Sequence, residues 1–371
     1  MKYGLFVVNK TRNIGDDIQA YATKRFLPKI DYYIDRDHAD EFLPNENEYV
    51  ASIINGWYLQ YTLNWPISPY IYPLPVSIHL TNKDWFWDTK DKAYHLQGYG
   101  LEYLKSISPI GCRDSHTKKL LDSLNVKNEY TGCMTLTIQK FKNVKKKKYI
   151  CAVDVSNAVV EAIKKMTNLE VKVITHTVPE SYYELSWEER MKNVEDLLKL
   201  YQGATAVVSY RLHCALPCLA LGTKVILLHE EYRNDRFGDF LKYMETCTEE
   251  ELVKGLVKYD FEKLPQRSQE WKTLKANLEK KCYDFIDKCE KKPPIYDKNN
   301  ITIDLYKKYV IDKSNWLKQC AVESYSRYQD QSSETARIKN ELQKANSELQ
   351  AIKNSRTWKL RCKLKKIIKR K

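Results

Sequence analysis

Arg211 and His213 stand two positions apart in the run Ser209-Tyr210-Arg211-Leu212-His213, at the end of a largely apolar stretch over residues 204–210. A guanidinium is a permanent cation with a planar fork that suits carboxylate or phosphate. An imidazole gives or takes a proton near neutral pH. The apolar stretch reads as a buried strand, and Pro217 is expected in the first turn of the helix after it, because deeper inside it would break that helix. Arg211 and His213 then fall in or beside a strand-to-helix turn, where open α/β sheets bind ligands. An arginine–acid pair with a hydrogen-bonded histidine would occupy the same positions, and position alone does not choose between the two.

Asn13-Ile14-Gly15-Asp16-Asp17 occupies the equivalent turn after an apolar run at residues 3–8. Gly15 opens backbone conformations closed to other residues, so that peptide N–H groups can line a ligand. Asp16 is a general-base candidate or the cap of the next helix, and spacing favours the cap. Ile110-Gly111-Cys112-Arg113-Asp114 sets a second arginine at a strand end. Alone it would read as a surface salt bridge. Two arginines at the sheet edges of opposite halves can instead clamp a doubly anionic ligand. Asn55-Gly56-Trp57 and Ser77-Ile78-His79 follow strand-like runs in the same way, with His79 a second proton carrier or a structural histidine. Cys214 and Cys218 lie one helical turn apart without a second ligand pair, and the ten cysteines include no CxxC. Reduced thiols in a cytosolic protein are expected, with no metal and no cofactor.

These residues need a scaffold of alternating strands and helices. Strands are expected at residues 3–8, 30–34, 50–54, 75–78 and 109–112, with the last of this half inside 126–137, and helices at 16–26 and 115–124. Six lysines and no acid in residues 140–148 mark a solvated linker. Beyond it, strands at 149–155, 171–177, 204–210 and 224–228 alternate with helices at 158–166, 186–201 and 213–221. Ser186 and Glu189 have capping-box spacing, and Gly222 closes the last helix. Such alternation implies parallel sheets with right-handed crossovers. The expected fold class is α/β: two Rossmann-like domains facing a cleft, at residues 1–140 and 141–248. A helical extension at 249–330 and a heptad helix with a basic amphipathic tail at 331–371 complete the chain.

The chain has 371 residues, 43% of them hydrophobic, ample for packed cores, and 27 Tyr and 8 Trp suit cores or sugar-stacking surfaces. Its formal charge is +14, yet residues 353–371 carry ten Lys or Arg and no acid, leaving about +4 for the rest. No stretch approaches the ~18 apolar residues of a membrane helix, and the short apolar start does not read as a signal peptide. Ile338, Leu342, Ala345, Leu349 and Ile352 form a seam of about two heptads, short for a coiled coil by itself but compatible with a homodimer.

Taken together, Asn13-Ile14-Gly15-Asp16-Asp17-Ile18-Gln19, Asn55-Gly56-Trp57, Gly111-Cys112-Arg113-Asp114, Thr131-Gly132-Cys133-Met134-Thr135-Leu136 and Arg211-Leu212-His213 resemble the polysaccharide pyruvyl transferase family, in its order, over about residues 3 to 230. The resemblance implies a two-domain GT-B-like fold, phosphoenolpyruvate as donor substrate and a saccharide acceptor. In that chemistry Arg113 and Arg211 would hold the donor's carboxylate and phosphate, and His213 would be the general acid. Asp16 or His79 would deprotonate the acceptor, with Asn13, Gly15, Asn55 and Gly56 lining the substrate site. The ending, including Ser355-Arg356-Thr357-Trp358-Lys359-Leu360, is similar to those of capsule and exopolysaccharide glycosyltransferases. It suggests an anionic membrane surface and a lipid-linked acceptor as partners, not nucleic acid, at the inner face of the plasma membrane. The rival expectations are a GT-B glycosyltransferase using a nucleotide sugar and a non-catalytic, membrane-docked assembly protein.

Overall fold

Side chains along a strand point alternately to its two faces, so a near-continuous apolar run such as Tyr149–Val153 buries both, and the chain builds two parallel sheets from such runs. The computed structural model describes residues 1–46, 48–58, 65–81, 96, 98–230, 234–265, 267–295 and 303–354. It divides into two compact units, Met1–Tyr309 and Val310–Lys371.

The first unit holds both sheets. Strands β1 (Lys2–Val7), β2 (Tyr32–Asp35), β3 (Val50–Tyr58), β4 (Ile71–Leu80), β5 (Ile110–Cys112) and β6 (Asn128–Tyr130) lie in the order β2-β1-β3-β4-β5-β6. Strands β7 (Tyr149–Val153), β8 (Glu170–Ile174), β9 (Ala206–Ser209), β10 (Lys224–Leu228) and β11 (Glu245–Cys247) lie in the order β11-β10-β9-β7-β8. Every pairing between these strands is parallel. The order reverses beside β1 in one sheet and beside β7 in the other, so each sheet has a topological switch point at its carboxyl edge. The helices of this unit are α1 (Gly15–Lys24), α2 (Gly98–Ser106), α3 (Ser115–Ser123), α4 (Asn157–Met166), α5 (Trp187–Gly203), α6 (Leu212–Leu221), α7 (Asn234–Phe237), α8 (Glu249–Val253) and α9 (Trp271–Lys291).

Alternate residues of the strands feed different cores. Leu5, Val7 and Ile53 of the first sheet share one core with Cys151, Val153, Val207 and Leu227 of the second, filled by Ile18, Leu198, Leu216 and Phe285 from α1, α5, α6 and α9. The opposite faces pack separately, Phe6 and Ile54 against Leu104 and Leu121, and Ile150 and Val208 against Val159 and Leu252. The two sheets are therefore fused through common apolar packing. A buried ion pair reinforces it: Arg190 of α5 binds Asp17 of α1 through Nε (2.9 Å) and Nη2 (2.7 Å), and also donates to the carbonyls of Val8 and Asn9.

Several expectations shift on contact with the structure. Pro217 lies inside α6, not in its first turn, because the helix already begins at Leu212 behind the Arg211 N-cap. Proline has no N–H to offer the carbonyl of His213 four residues back, so one helical bond is given up next to a candidate site residue. The strand expected at 75–78 runs Ile71–Leu80 and includes Pro73 and Pro75. It tolerates them because that segment pairs only with β3, whereas pairing with β5 is confined to Ile78 and Cys112. Both α2 and β11 went unforeseen. The Ser186–Glu189 capping box forms, and Gly222 closes α6 at φ 73°.

The long helix α10 (Ile303–Asn354) carries the heptad residues, and Ile338, Leu342 and Leu349 are exposed along it. The basic segment 355–371 lies outside the described residues. No helix among the described residues is long and apolar enough to cross a membrane.

Candidate functional site

The loops at the carboxyl ends of β1 and β8 are sewn together. Ile14 N–H donates to the His176 carbonyl (2.9 Å), Val178 N–H donates to the Arg12 carbonyl (3.2 Å), and Asn13 bridges Thr177. Asn13 Oδ1 accepts from Gly15 N–H at 2.9 Å, a side-chain turn that opens α1. The backbone of Gly15 is not left-handed, which corrects the expectation set for it. Glycine is needed there for space: an added Cβ would stand 2.9 Å from Asn13 Oδ1 and 3.3 Å from the Cβ of His213. Asn13, Gly15 and His213 are thus neighbours across the two halves.

Asp16 is not the helix cap, since α1 starts one residue earlier with Ile14 as N-cap. Its carboxylate instead accepts from Thr11 Oγ1 (2.7 Å) and pairs with Arg36 Nη1 at 3.8 Å. Gly56, at φ 107°, leaves room for Gln19 and Arg36. A cavity of ≈ 20 Å³, room for about one water, is lined by Asp16, Gln19, Arg36 and Asn55. Asn55 itself donates to Thr23 Oγ1 (2.8 Å) and so braces β3 against α1.

Arg113 follows β5 and is fully buried. Its Nε donates to Asp114 Oδ2 at 3.3 Å, while both terminal nitrogens are buried without a hydrogen-bond partner. Asp114 caps α3 by accepting from Thr117 N–H, and its other oxygen meets His79 Nδ1 at 2.6 Å. Burial alone would raise this carboxyl, but the bond from His79 and the charge of Arg113 outweigh it and hold it at about 2. An ionised carboxylate only accepts, so Nδ1 of His79 carries the proton and its Nε2, buried without a partner, presents a lone pair. Burial and the Arg113 charge lower His79 to about 4, which keeps it neutral. Trp57 packs edge-on to His79 at 5.9 Å, and Arg236 lies 4.5 Å over the Trp57 ring.

His213 sits in the first turn of α6, half-buried, with Nε2 buried and unpartnered. Burial, then the positive charges of Arg113 and Arg236, drive it well below the usual histidine range. Arg113 thus acts on both imidazoles. Arg211 is differently engaged. Its Nε is bound to Asp154 Oδ2 at 2.7 Å, the arginine–acid pair weighed from sequence, and its side chain is 41% exposed. That pair ties the end of β7 to the start of α6. No hydrogen bond or ion pair joins Arg211 to Arg113 or His79 among the described residues.

The structure therefore gathers Arg113, His79 and His213 into one electrostatic neighbourhood, with Asn13 and Gly15 against His213. Asp16 and Gly56 meet at Arg36, and Asn55 is turned to a bracing role. Sequence reading passed over the part played by Asp114, although it directly follows Arg113, and missed Arg36 and Arg236, which no local motif marks. Among the described residues no group of three His, Cys, Asp or Glu is arranged to hold a metal ion. Cys112, Cys133, Cys151, Cys214, Cys218, Cys247, Cys282 and Cys289 are free and buried.

Residues 13–230 match the family model for polysaccharide pyruvyl transferase. Among solved structures, a functionally uncharacterized protein from Klebsiella pneumoniae is 15% identical with a TM-score of 0.39, the match covering 67% of this chain and 92% of that one. The UDP-GlcNAc 2-epimerase of Methanocaldococcus jannaschii is 14% identical with a TM-score of 0.37, over 75% and 98%. An E. coli heptosyltransferase solved with ADP is 13% identical with a TM-score of 0.30, over 76% and 99%. No curated protein matches the chain.

Proposed function

The chain belongs to the polysaccharide pyruvyl transferase family, and from that premise we propose that it transfers the pyruvyl group of phosphoenolpyruvate to two hydroxyls of a saccharide as a cyclic ketal, releasing inorganic phosphate. The observation that carries this reading is Arg113: a buried guanidinium whose two terminal nitrogens have no partner. Leaving such a donor dry costs several kcal/mol, a cost that a bound anion removes. The donor's carboxylate fits the fork of Arg113. Its phosphate is assigned to Arg211, whose guanidinium is bound through Nε to Asp154 and whose side chain is 41% exposed.

In the proposed sequence the donor's terminal methylene carbon takes a proton, and an acceptor hydroxyl adds to the adjacent carbon while losing its own proton. Phosphate then leaves that carbon, and a second hydroxyl closes the ring as its proton passes to the departing phosphate. His213 supplies the first proton. Burial and the charges of Arg113 and Arg236 keep its imidazole neutral in the free protein, and a bound dianion offsets that positive field, so donor binding itself favours the imidazolium. His79, oriented by Asp114, offers Nε2 as the base for the acceptor hydroxyl, and Asp16 is the alternative base. Donor and acceptor bring every atom of the products, so the reading calls for no cofactor or metal.

The same reading takes the two sheets as a GT-B-like pair and the acceptor as a lipid-linked precursor of a cell-surface or capsular polysaccharide. The basic tail would hold the protein at the cytoplasmic face of the membrane, and the exposed heptad seam of α10 would pair two copies. The decisive experiment incubates the protein with phosphoenolpyruvate and a panel of lipid-linked glycans. The expected result is phosphate release matched by a ketal-bearing product in mass spectra. Nucleotide release from a sugar donor, with phosphoenolpyruvate untouched, would replace this reading by glycosyl transfer. Full biological function with Arg211 and His213 both changed to Ala would point to a scaffold.

A further inference from the structure

A cavity of ≈ 580 Å³ lies away from the candidate reaction site. It opens at the amino end of β10, beside Lys224 and Gly222, whereas Arg113, His79 and His213 stand at carboxyl ends of strands or just beyond them. Its size is that of a small-molecule site, ~300–1,000 Å³.

Its charges are unbalanced. Lys140, Lys224, Lys272 and Lys275 line it, and none forms an ion pair with a carboxylate among the described residues. The lining acid, Glu245, is already held by Arg267 at 2.5 and 2.8 Å. Lys140 lies over Gly222, where the negative end of α6 offsets part of its charge. Lys224 and Lys275 each donate to one backbone carbonyl, of Glu262 (3.1 Å) and Ile138 (3.2 Å), and Lys272 lies over the Trp271 ring, contacts that leave the positive charges unneutralised. Burial lowers the Lys275 ammonium; the charge of Glu279 opposes this, and those of Arg25 and Lys140 add to it.

Two further features point to a ligand. The cavity is bordered by the amino terminus of the 21-residue helix α9, whose N-cap Glu270 gives the helix no side-chain bond and is held by Lys242. A helix N-terminus adds partial positive charge. Trp271, the first residue of α9, is 7% exposed, and its indole N–H is buried with no acceptor. Leu219 and Met244 supply apolar wall. Lysines are point-charge binders of phosphate, and the apolar wall calls for an organic body on the anion.

We propose that this cavity is a second binding site, for a small organic molecule bearing a diphosphate, distinct from the site of ketal transfer. Lys140, Lys272 and Lys275 hold the diphosphate, and the Trp271 N–H donates to one of its oxygens.

Calorimetric titration of the full chain with inorganic pyrophosphate and with uridine diphosphate tests it. Both should bind, the nucleotide more tightly because it also covers the apolar wall. Lys140→Ala with Lys272→Ala should weaken binding at least tenfold, and Trp271→Phe several-fold, with melting temperatures near that of the parent. Arg113→Ala should leave the affinity intact, which separates this cavity from the reaction site. Absence of binding at millimolar probe, equal affinity in the lysine double variant, or loss through Arg113→Ala instead would overturn the assignment. So would binding only to phosphatidylglycerol vesicles, which would make the lysines a membrane contact.

Discussion

A guanidinium can be placed in a protein interior only if something accepts its hydrogen bonds, and Arg113 has an acceptor for Nε alone. Arg113→Lys keeps the charge but loses the planar fork. Turnover is expected to fall at least ~100-fold, the scale of one lost transition-state donor, with little change in melting temperature; phosphate release measures the first and calorimetry the second. His79 leaves a different signature. Its pKa near 4 in the folded protein lies below the ordinary 6.5, so between these values the unfolded chain binds more protons. Stability should therefore be complete above pH 6.5 and drain away as pH falls towards 4, by on the order of 3 kcal/mol. Below that, protonation of Asp114 near 2 removes more. In His79→Gln the decline between pH 6.5 and 4 should be shallower, which melting temperatures across that range will reveal. Arg113 and His79 were both named from sequence because each ends a strand-like run. Asp114 was overlooked since an acid before a helix reads first as a cap, and here one carboxylate caps α3 and orients His79 at once.

At the scale of elements, the turn between β1 and α1 and the turn between β9 and α6 make one contact through Gly15 and His213. Gly15→Ala forces a Cβ against both Asn13 and His213. We expect a loss of turnover of tenfold or more with a melting temperature only a few degrees lower, because the turn can shift but His213 then moves with it. Gly222→Ala is the contrasting case. Its left-handed φ of 73° closes α6 far from that contact, and alanine there should cost about 1–2 kcal/mol. In denaturant titrations Gly222→Ala should lose stability while the folded variant keeps its turnover. Strand and helix order was legible because apolar period and cap residues are local. Proline chemistry alone points Pro217 to a first turn, whereas the buried, well-packed α6 carries it deeper and tolerates one missing bond.

For the whole first unit, the common core joining Leu5, Val153, Leu216 and Phe285 makes the two sheets mutually dependent. One cooperative unfolding transition is expected for residues 1–309 rather than one per sheet. Arg190→Ala would leave Asp17 buried without its cation, at a cost of roughly 3–5 kcal/mol. Chemical denaturation should show the midpoint fall with the transition still single. Two separated transitions in either protein would mean that the sheets are independent.

By itself the sequence determined two runs of alternating strands and helices, a lysine-rich connection between them, and the turns that carry Gly15, Arg113 and His213, because apolar period, caps and strand-end chemistry are written in neighbouring residues. Only the tertiary structure decided which of those side chains share an environment. Arg211 is bound to Asp154, Asn55 braces α1, and Arg36 and Arg236 enter from segments with no motif. The reason is physical: burial and charge at a site depend on what folds against it from far along the chain, and pairs such as Asp17 with Arg190 leave no mark in local spacing.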